Sequence, residues 1–171
     1  MLPHQVRIVD VGPRDGLQNE SAPVSTAQKV ELVHRLQSAG LREIEVTSFV
    51  SPKWVPQMAD NAQVMRGVQR RAGVRYSVLT PNLKGFEAAI ADPAIRPDEI
   101  VAASEAFSQR NINCSIAESI ERFRPVVEAA HANAIKVRCA VSVALGCPYQ
   151  GEVTPDEVER VVRLMKDIGV D

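Results

Sequence analysis

The feature that most constrains the fold is a repeated alternation of two kinds of segment along the 171-residue chain. Short runs rich in β-branched residues alternate about five times with longer segments that place apolar residues on one helical face. The strand-like runs cover residues 6–11, 43–47, 76–80, 99–103 and 137–145. This alternation predicts an α/β fold in which parallel strands are joined by right-handed crossovers and covered by helices on the outside.

Sequence signals for helix starts agree with this alternation. The segments 25–28, 115–118 and 154–157 each place a serine or threonine three positions before Glu or Gln, which is the capping-box pattern. Two further helices are predicted near 59–70 and 83–91, where apolar residues recur with helical spacing. Every predicted strand is therefore followed by a helical segment.

Two architectures fit this order of elements: an open doubly wound sheet and part of a (β/α)8 barrel. No G-x-G-x-x-G or P-loop sequence follows any predicted strand, which disfavours the first. Polar residues instead lie just beyond the predicted strand ends, where a barrel forms its active site. They are Arg14, Asp15, Gln18, Ser48, Asn82, Ser104, Glu105 and Tyr149. We therefore predict that residues 1–171 form a single, incomplete TIM-barrel domain of about five βα units.

Composition limits the classes of partner. The chain is 45% hydrophobic and 24% charged with a formal net charge of -1, which predicts one soluble globular domain and no nucleic-acid partner. No apolar run approaches the roughly 18 residues that a membrane span requires, so no membrane partner is expected. The first residues lack the basic and apolar regions of a secretory signal, and the expected location is cytoplasmic.

Cysteine and histidine spacing gives no metal motif. Cys114, Cys139 and Cys147 match neither a zinc nor a C-x-x-C redox pattern, so we interpret them as structural thiols. The three histidines are scattered and form no H-x-H or H-E-x-x-H pair. Any metal site would thus depend on carboxylates.

The clearest candidate site lies in the segment from Val6 to Glu20. Its β-branched run ends at Gly12-Pro13, which cannot continue a strand, and Arg14-Asp15-Gly16 follows at once. In parallel α/β proteins the carboxyl ends of the strands are where ligands bind, so a charged pair there indicates a site. The alternative from local chemistry alone is that the Asp-Gly pair forms only a turn.

The segment from Arg14 to Glu20, R-D-G-L-Q-N-E, resembles the signature of the 3-hydroxy-3-methylglutaryl-CoA lyase family. Four further segments resemble the same family in the same order, so the likeness covers nearly the whole chain. They are Thr47 to Met58, Leu79 to Ala88, Asn111 to Ser115 and Ala144 to Gly151. The family belongs to the metallolyase superfamily of TIM barrels, whose synthase members carry a related R-D-G-x-Q.

The resemblance implies cleavage of 3-hydroxy-3-methylglutaryl-CoA to acetyl-CoA and acetoacetate by retro-Claisen chemistry, assisted by a bound Mg²⁺ or Mn²⁺. Asp15 corresponds to the family's metal-binding aspartate, a hard oxygen ligand suited to such ions. Arg14 corresponds to the arginine that stabilises the enolate oxygen, and Glu45 to a glutamate that supports this pair. Gln18 and Ser48 are candidate substrate-binding residues.

Some of these assignments have structural alternatives. Glu45 is otherwise an exposed carboxylate at a strand edge, and Gln18 and Ser48 are otherwise ordinary loop residues. Lys53 is a candidate contact for a CoA phosphate, with a solvated loop lysine as the alternative. Each alternative predicts a different burial and a different set of contacts.

The chain also departs from the family pattern. A barrel of this type typically takes about 250 residues, and by the resemblance only the first five of eight units are present. The family's H-x-H metal ligands, a metal-ligating asparagine, an acidic residue after strand six and a loop cysteine have no counterpart here. We therefore predict a truncated form with little or no lyase activity alone, acting as a homo-oligomer or completed by a second polypeptide that supplies the C-terminal half.

Two other functions stay open. One is a non-catalytic remnant, or a partner-completed subunit, that binds acyl-CoA. The other is a related Claisen-type acyl-CoA synthase, against which the S-P-K-W-V-P-Q segment argues. The register of the run 99–103 is open as well, because a proline-rich segment precedes it and the run is short for this family.

Overall fold

The computed structural model describes residues 4–104, 116–148 and 151–171. Within these ranges, four strands and five α-helices alternate along the chain. The strands are β1 (Glu43–Ser48), β2 (Arg75–Leu79), β3 (Glu99–Ser104) and β4 (Lys136–Val141). The helices are α1 (Thr26–Ser38), α2 (Asn61–Gly67), α3 (Leu83–Ile90), α4 (Ile116–Ala132) and α5 (Pro155–Asp167). No helix of the described ranges has the length and apolar character needed to cross a membrane.

The strand order in the sheet is β1-β2-β3-β4, and every pair is parallel. Each strand therefore lies beside the next one in sequence, with a helix in the intervening connection. A doubly wound sheet reverses its strand order at a switch point, whereas a barrel wall continues in one direction. The described strands show no reversal, which decides between the two predicted architectures in favour of the barrel.

The opening run 6–11 does not form the predicted strand. Asp10 makes one isolated parallel bridge with Ile44, with hydrogen bonds from Asp10 N to Glu43 O (3.0 Å) and from Glu45 N to Asp10 O (2.8 Å). Val6 and Ile8 are 77% and 70% exposed. β-Branched residues favour a strand only when a neighbouring strand and a packed face stabilise it, and Val6 and Ile8 have no packed face among the described residues.

Two other predicted elements are shorter than expected. The run 137–145 gives a strand that ends at Val141, because a turn follows in which Val143 adopts a positive φ of 52°. The helix predicted over 59–70 covers only Asn61–Gly67, because Val68 turns to an extended backbone and is buried. The helix thus ends three residues before its predicted end, at the point where Val68 is buried in an extended conformation.

Register within the sheet is regular except at one place. β3 pairs with β4 continuously from Glu99↔Lys136 to Ser104↔Val141, which settles the register of the run 99–103. β1 has an irregularity between Glu45 and Thr47. Thr47 is thereby aligned with Val78, and the alternation of faces that a regular strand would show is interrupted between Glu45 and Thr47.

The two faces of the sheet differ in character. Its outer face packs against the helices and forms the hydrophobic core, because apolar residues on the strands meet the apolar stripes of the helices. Fully buried members of this core are Val33, Ile44, Val64, Tyr76, Val78, Phe86, Ile100, Val127, Val137 and Val161. The inner face carries charged side chains from β1, β3 and β4, described below. The capping boxes at Ser25 and Thr154 form as predicted and fix the starts of α1 and α5.

Candidate functional site

A tight helical turn over Gly12–Gly16 places the predicted charged pair. The N–H groups of Arg14, Asp15 and Gly16 all point to the carbonyl oxygen of Val11, at 3.1, 2.7 and 3.3 Å. Pro13 is buried within this turn. The chain therefore reverses immediately after the bridge to β1, and Arg14 and Asp15 follow at the carboxyl side of that bridge.

Arg14 contacts both of its expected partners. Its Nη1 donates to Asp15 Oδ1 at 2.6 Å, and its Nε donates to Glu45 Oε1 at 2.5 Å. The Glu45 side chain is 1% exposed, that of Arg14 12% and that of Asp15 53%. The structure thus brings these three predicted residues together and excludes the exposed strand-edge alternative for Glu45. Asp15 has an accessible carboxylate at the surface of the cluster.

The second oxygen of Glu45 is held by Arg138, a residue that sequence reasoning missed. Arg138 Nη2 donates to Glu45 Oε2 at 2.8 Å, and its Nε donates to Glu99 Oε2 at 3.2 Å. Glu99 in turn accepts a hydrogen bond from Arg7 Nη2 at 3.1 Å. We call Asp15, Arg14, Glu45, Arg138 and Glu99 the inner charge chain, because acidic and basic groups alternate along it.

The sequence contains a signal that could have identified Arg138 and Glu99 as paired charges. Both stand within strongly apolar strand sequences, E-I-V and V-R-C, in a sheet whose strands are buried. A charge at such a position requires a partner, since an unpaired buried charge is costly. The spacing alone does not reveal the partners, which are 39 and 93 residues away from Arg138 in sequence.

Ser48 lies at the end of β1 on the same face as this chain of charges. It is paired in register with Leu79, which is level with Val101 and Arg138 on the next two strands. Ser48 is fully buried, and its Oγ has no hydrogen-bond partner within the described ranges. Gln18 is half-buried, one turn beyond Arg14. The Ser48 hydroxyl is thus covered by protein in this structure whereas Gln18 is partly accessible, and the substrate-binding role of both residues stays a prediction.

Other polar residues beyond the strand ends have different surroundings. Asn82 caps α3 by accepting a hydrogen bond from Gly85 N at 2.9 Å, which is a structural role. Lys53 is exposed on the loop after β1, with its Nζ 5.9 Å from the centre of the Trp54 ring. Glu105, Tyr149 and Cys114 lie outside the described residues, as does the segment 111–115. Of the two described cysteines, Cys139 is half-buried and Cys147 is buried.

A groove of about 400 Å³ lies beside the loops that follow β1 and β2. Its walls include Phe49, Pro52, Asn61, Pro81 and Lys84. The groove therefore adjoins the same sheet edge as Ser48. It combines apolar walls with one cationic side chain, which is the character of a surface for a ligand that is partly apolar and partly anionic.

The described part of the chain holds no group of three or more His, Cys, Asp or Glu side chains able to bind a metal. Asp15 supplies one accessible carboxylate, which is paired with Arg14. A divalent ion of the magnesium type takes six oxygen ligands, often including water, and one carboxylate is only part of such a site. The residues described here do not by themselves fit a complete metal centre.

Comparison with known proteins gives a consistent family. Residues 5–171 match the HMGL-like family model. A Pseudomonas aeruginosa protein named 3-hydroxy-3-isohexenylglutaryl-CoA/hydroxy-methylglutaryl-CoA lyase is 56% identical over 168 residues, covering 98% of this chain and 56% of that protein. This chain thus spans about half the length of the curated relatives that it matches.

Solved structures agree with this result. The crystal structure of hydroxymethylglutaryl-CoA lyase from Pseudomonas aeruginosa superposes with a TM-score of 0.91 at 54% identity, over 99% of this chain and 56% of that one. An HMG-CoA lyase from Acinetobacter baumannii, in complex with coenzyme A and 3-methylmalate, gives 0.88 at 30% identity over 99% and 56%. The four-stranded wall is accordingly a partial TIM barrel. The chain belongs to the HMGL-like family.

Proposed function

We propose that the protein acts as a carbon–carbon lyase that cleaves 3-hydroxy-3-methylglutaryl-CoA to acetyl-CoA and acetoacetate. The observation that carries this proposal is the orientation of Arg14, whose Nε is fixed on buried Glu45 while its Nη1 contacts accessible Asp15. A fixed, permanently charged group at the carboxyl edge of a parallel sheet suits a reaction that generates an anion.

In this reaction a base removes the proton of the tertiary hydroxyl, the oxygen electron pair forms the ketone of acetoacetate, and the carbon–carbon bond breaks to leave the enolate of acetyl-CoA. The enolate carbon then takes up a proton to give acetyl-CoA. We propose that Arg14 stabilises the enolate oxygen. Its Nη2 has no acceptor among the described residues, so this nitrogen can donate to a ligand. Because Glu45 holds the guanidinium before the substrate binds, little reorganisation accompanies the charge development.

We propose that the remaining site residues bind substrate and cofactor. Two observations support this: Ser48 has a buried Oγ with no partner among the described residues, which a ligand would satisfy, and Gln18 is half-buried beside the turn. The neighbouring groove with Lys84 suits the coenzyme portion. Asp15 is proposed as one ligand of Mg²⁺ or Mn²⁺, with the other ligands supplied by groups that the described residues do not include.

We also propose that the active form contains more than one copy of this half-barrel wall, or a further polypeptide that completes it. Val6 and Ile8 are 77% and 70% exposed, and β4 has no described neighbour on its outer side. Exposed apolar residues beside an open strand edge favour association with another chain. The isolated chain is accordingly expected to have little or no lyase activity. The second candidate function is a subunit that binds acyl-CoA without cleaving it, which the groove with Lys84 also suits.

A chimera tests the proposal directly. The chain replaces the segment that it matches in the Pseudomonas aeruginosa lyase, and acetyl-CoA and acetoacetate are measured with and without added Mg²⁺ or Mn²⁺. We expect cleavage that depends on the metal, and a large loss of both metal affinity and rate in Asp15→Asn. The unmodified lyase serves as the positive control. A folded chimera that binds acyl-CoA without cleaving it would support the non-catalytic alternative instead.

A further inference from the structure

We propose that Arg138 is a positioning residue that holds Glu45 in place and thereby aims Arg14. The catalytic consequence rests on the proposed lyase function, whereas the structural coupling between the two arginines does not. The inference follows from the inner charge chain, in which Glu45 is the only described group that contacts both arginines.

The contacts of Glu45 give the first step. Its side chain is 1% exposed, and each carboxylate oxygen has a separate arginine donor: Arg14 at 2.5 Å on Oε1 and Arg138 at 2.8 Å on Oε2. With both oxygens engaged, the carboxylate plane cannot rotate without breaking a charge-assisted hydrogen bond. The direction in which Oε1 points is therefore set jointly by the two arginines.

The two arginines are not equally constrained by the backbone. Arg138 lies in the middle of β4, where the register with β3 is continuous on both sides. Arg14 lies in a tight turn outside the sheet and has a long side chain with several rotamers. The strand thus fixes the backbone of Arg138, Arg138 restricts the orientation of Glu45, and Glu45 restricts the orientation of Arg14.

Arg138 is itself fixed by a second carboxylate. Its Nε donates to Glu99 Oε2 at 3.2 Å, and Glu99 is 3% exposed and also accepts from Arg7. Nε and Nη2 lie in one rigid guanidinium plane, so two contacts to different carboxylates define the orientation of the group. A lysine at this position would keep a cationic donor to Glu45 and lose only the second contact, to Glu99.

Loss of Arg138 predicts a specific rearrangement. Glu45 Oε2 is left without its donor in a buried position, and the carboxylate gains most by turning both oxygens toward Arg14. A two-pronged pair of this kind draws the Arg14 guanidinium toward Glu45 and away from Asp15. The group proposed to stabilise the enolate is then misdirected, although no contact to the substrate has been removed.

Nuclear magnetic resonance of the 171-residue chain tests the coupling without any assay of activity. The Nε–Hε signal of Arg14 should be shifted from the free-arginine position and slow to exchange with water, because this N–H is bonded to a buried carboxylate. In Arg138→Met we expect this signal to move to a new position, because both oxygens of Glu45 turn toward Arg14 and reorient its guanidinium group. In Arg138→Lys, which retains a cationic donor, we expect the signal to be largely restored.

Arg75→Met is the matched control. Arg75 is on β2, the neighbour of the strand that carries Glu45. It contacts Glu43 and Glu99, at 3.5 and 4.0 Å, but it makes no contact with Glu45. We expect the Arg14 signal to be unchanged in this variant. Should Arg138→Met fail to fold, Arg138→Gln, which is shorter and uncharged but keeps an N–H donor, is measured in its place, and we expect the Arg14 signal to move in the same way.

The same substitutions in the chimera separate this inference from the proposed function. Arg138→Met should lower kcat roughly tenfold with KM within about twofold of the unsubstituted chimera, and Arg138→Lys should recover most of kcat. An inactive chimera contradicts the lyase proposal and leaves the resonance test intact. An Arg14 signal that is the same in Arg138→Met as in the unsubstituted chain overturns the positioning role.

Discussion

Arg14 Nε lies 2.5 Å from Glu45 Oε1, although the two residues are 31 positions apart in sequence. This contact docks the turn that carries Arg14 and Asp15 onto the first strand of the sheet. Arg14 therefore contacts a buried carboxylate, Glu45, with one nitrogen and an accessible carboxylate, Asp15, with another. The orientation of the site thus depends on a buried carboxylate that is not itself exposed to a ligand.

Removal of this carboxylate should destabilise the fold. Glu45→Ala removes the buried acceptor that Arg14 and Arg138 share and leaves two positive groups close together, so we expect a loss of about 3–5 kcal/mol in the free energy of unfolding. Urea denaturation measures this quantity. Glu31→Ala removes an exposed carboxylate from an ion pair with Arg35 and should leave the stability nearly unchanged. Equal effects of the two substitutions would contradict the role given to burial.

A second buried ion pair predicts a pH dependence of stability. Burial acts to raise the pKa of Asp60, but hydrogen bonds from Lys29 and Thr26, together with the Lys29 charge, outweigh it and hold the pKa below the usual 3.8. A carboxyl group whose pKa is lower in the folded state stabilises the fold above its unfolded pKa. This stabilisation is lost as the pH falls through the folded value.

Asp60→Asn tests this dependence, with the melting temperature measured between pH 6 and pH 3. The wild-type chain should be the more stable at pH 6, and the difference between the two proteins should shrink as the pH falls below about 4. A constant difference over the whole range would show that the charge of Asp60 contributes no pH-dependent stability.

Gly85 should not tolerate a side chain, although alanine favours helices more than glycine does. A Cβ at this position in α3 would lie 2.5 Å from the carbonyl oxygen of Phe49 and 3.1 Å from Pro81 Cδ. Gly85→Ala is therefore expected to cost about 1–3 kcal/mol in chemical denaturation. Gly16→Ala is the control, since a Cβ added at Gly16 would have no neighbouring atom within 4 Å and the stability should be maintained.

The capping box of α5 gives a smaller effect. Thr154 Oγ1 accepts from Glu157 N, and the Glu157 carboxylate accepts from Thr154 N at 2.8 Å. Thr154→Ala should lower the stability by about 1 kcal/mol and speed hydrogen exchange in the first turn of the helix. Thr154→Ser keeps the hydroxyl and should behave like the wild-type chain.

The sequence was sufficient to predict features that depend on local pattern. The alternation of elements, the capping boxes at Ser25 and Thr154 and the adjacency of Arg14 and Asp15 are all confirmed. Each follows from periodicity or from residues a few positions apart. The comparison with solved lyases also confirms the prediction of a partial barrel.

Features that depend on distant partners could not be predicted in this way. The run 6–11 has strand propensity, but its Val6 and Ile8 are exposed and do not pack against the described core, so it forms a single bridge. Arg138 was missed because its partner Glu45 is 93 residues away and belongs to a different strand. The turn at Val143 could not be predicted either, since a β-branched residue with positive φ is not expected from sequence.

The most direct test of the proposed chemistry is the rate of acetoacetate formation by the Arg14→Met chimera relative to the unsubstituted chimera, both saturated with Mg²⁺. Arg14 is proposed to donate to the enolate oxygen, and loss of such a donor typically costs about a hundredfold or more in kcat. We predict a loss of at least about a hundredfold in a protein that remains folded. A rate within about threefold of the unsubstituted chimera would contradict the proposed role of Arg14 and, with it, the proposed reaction mechanism.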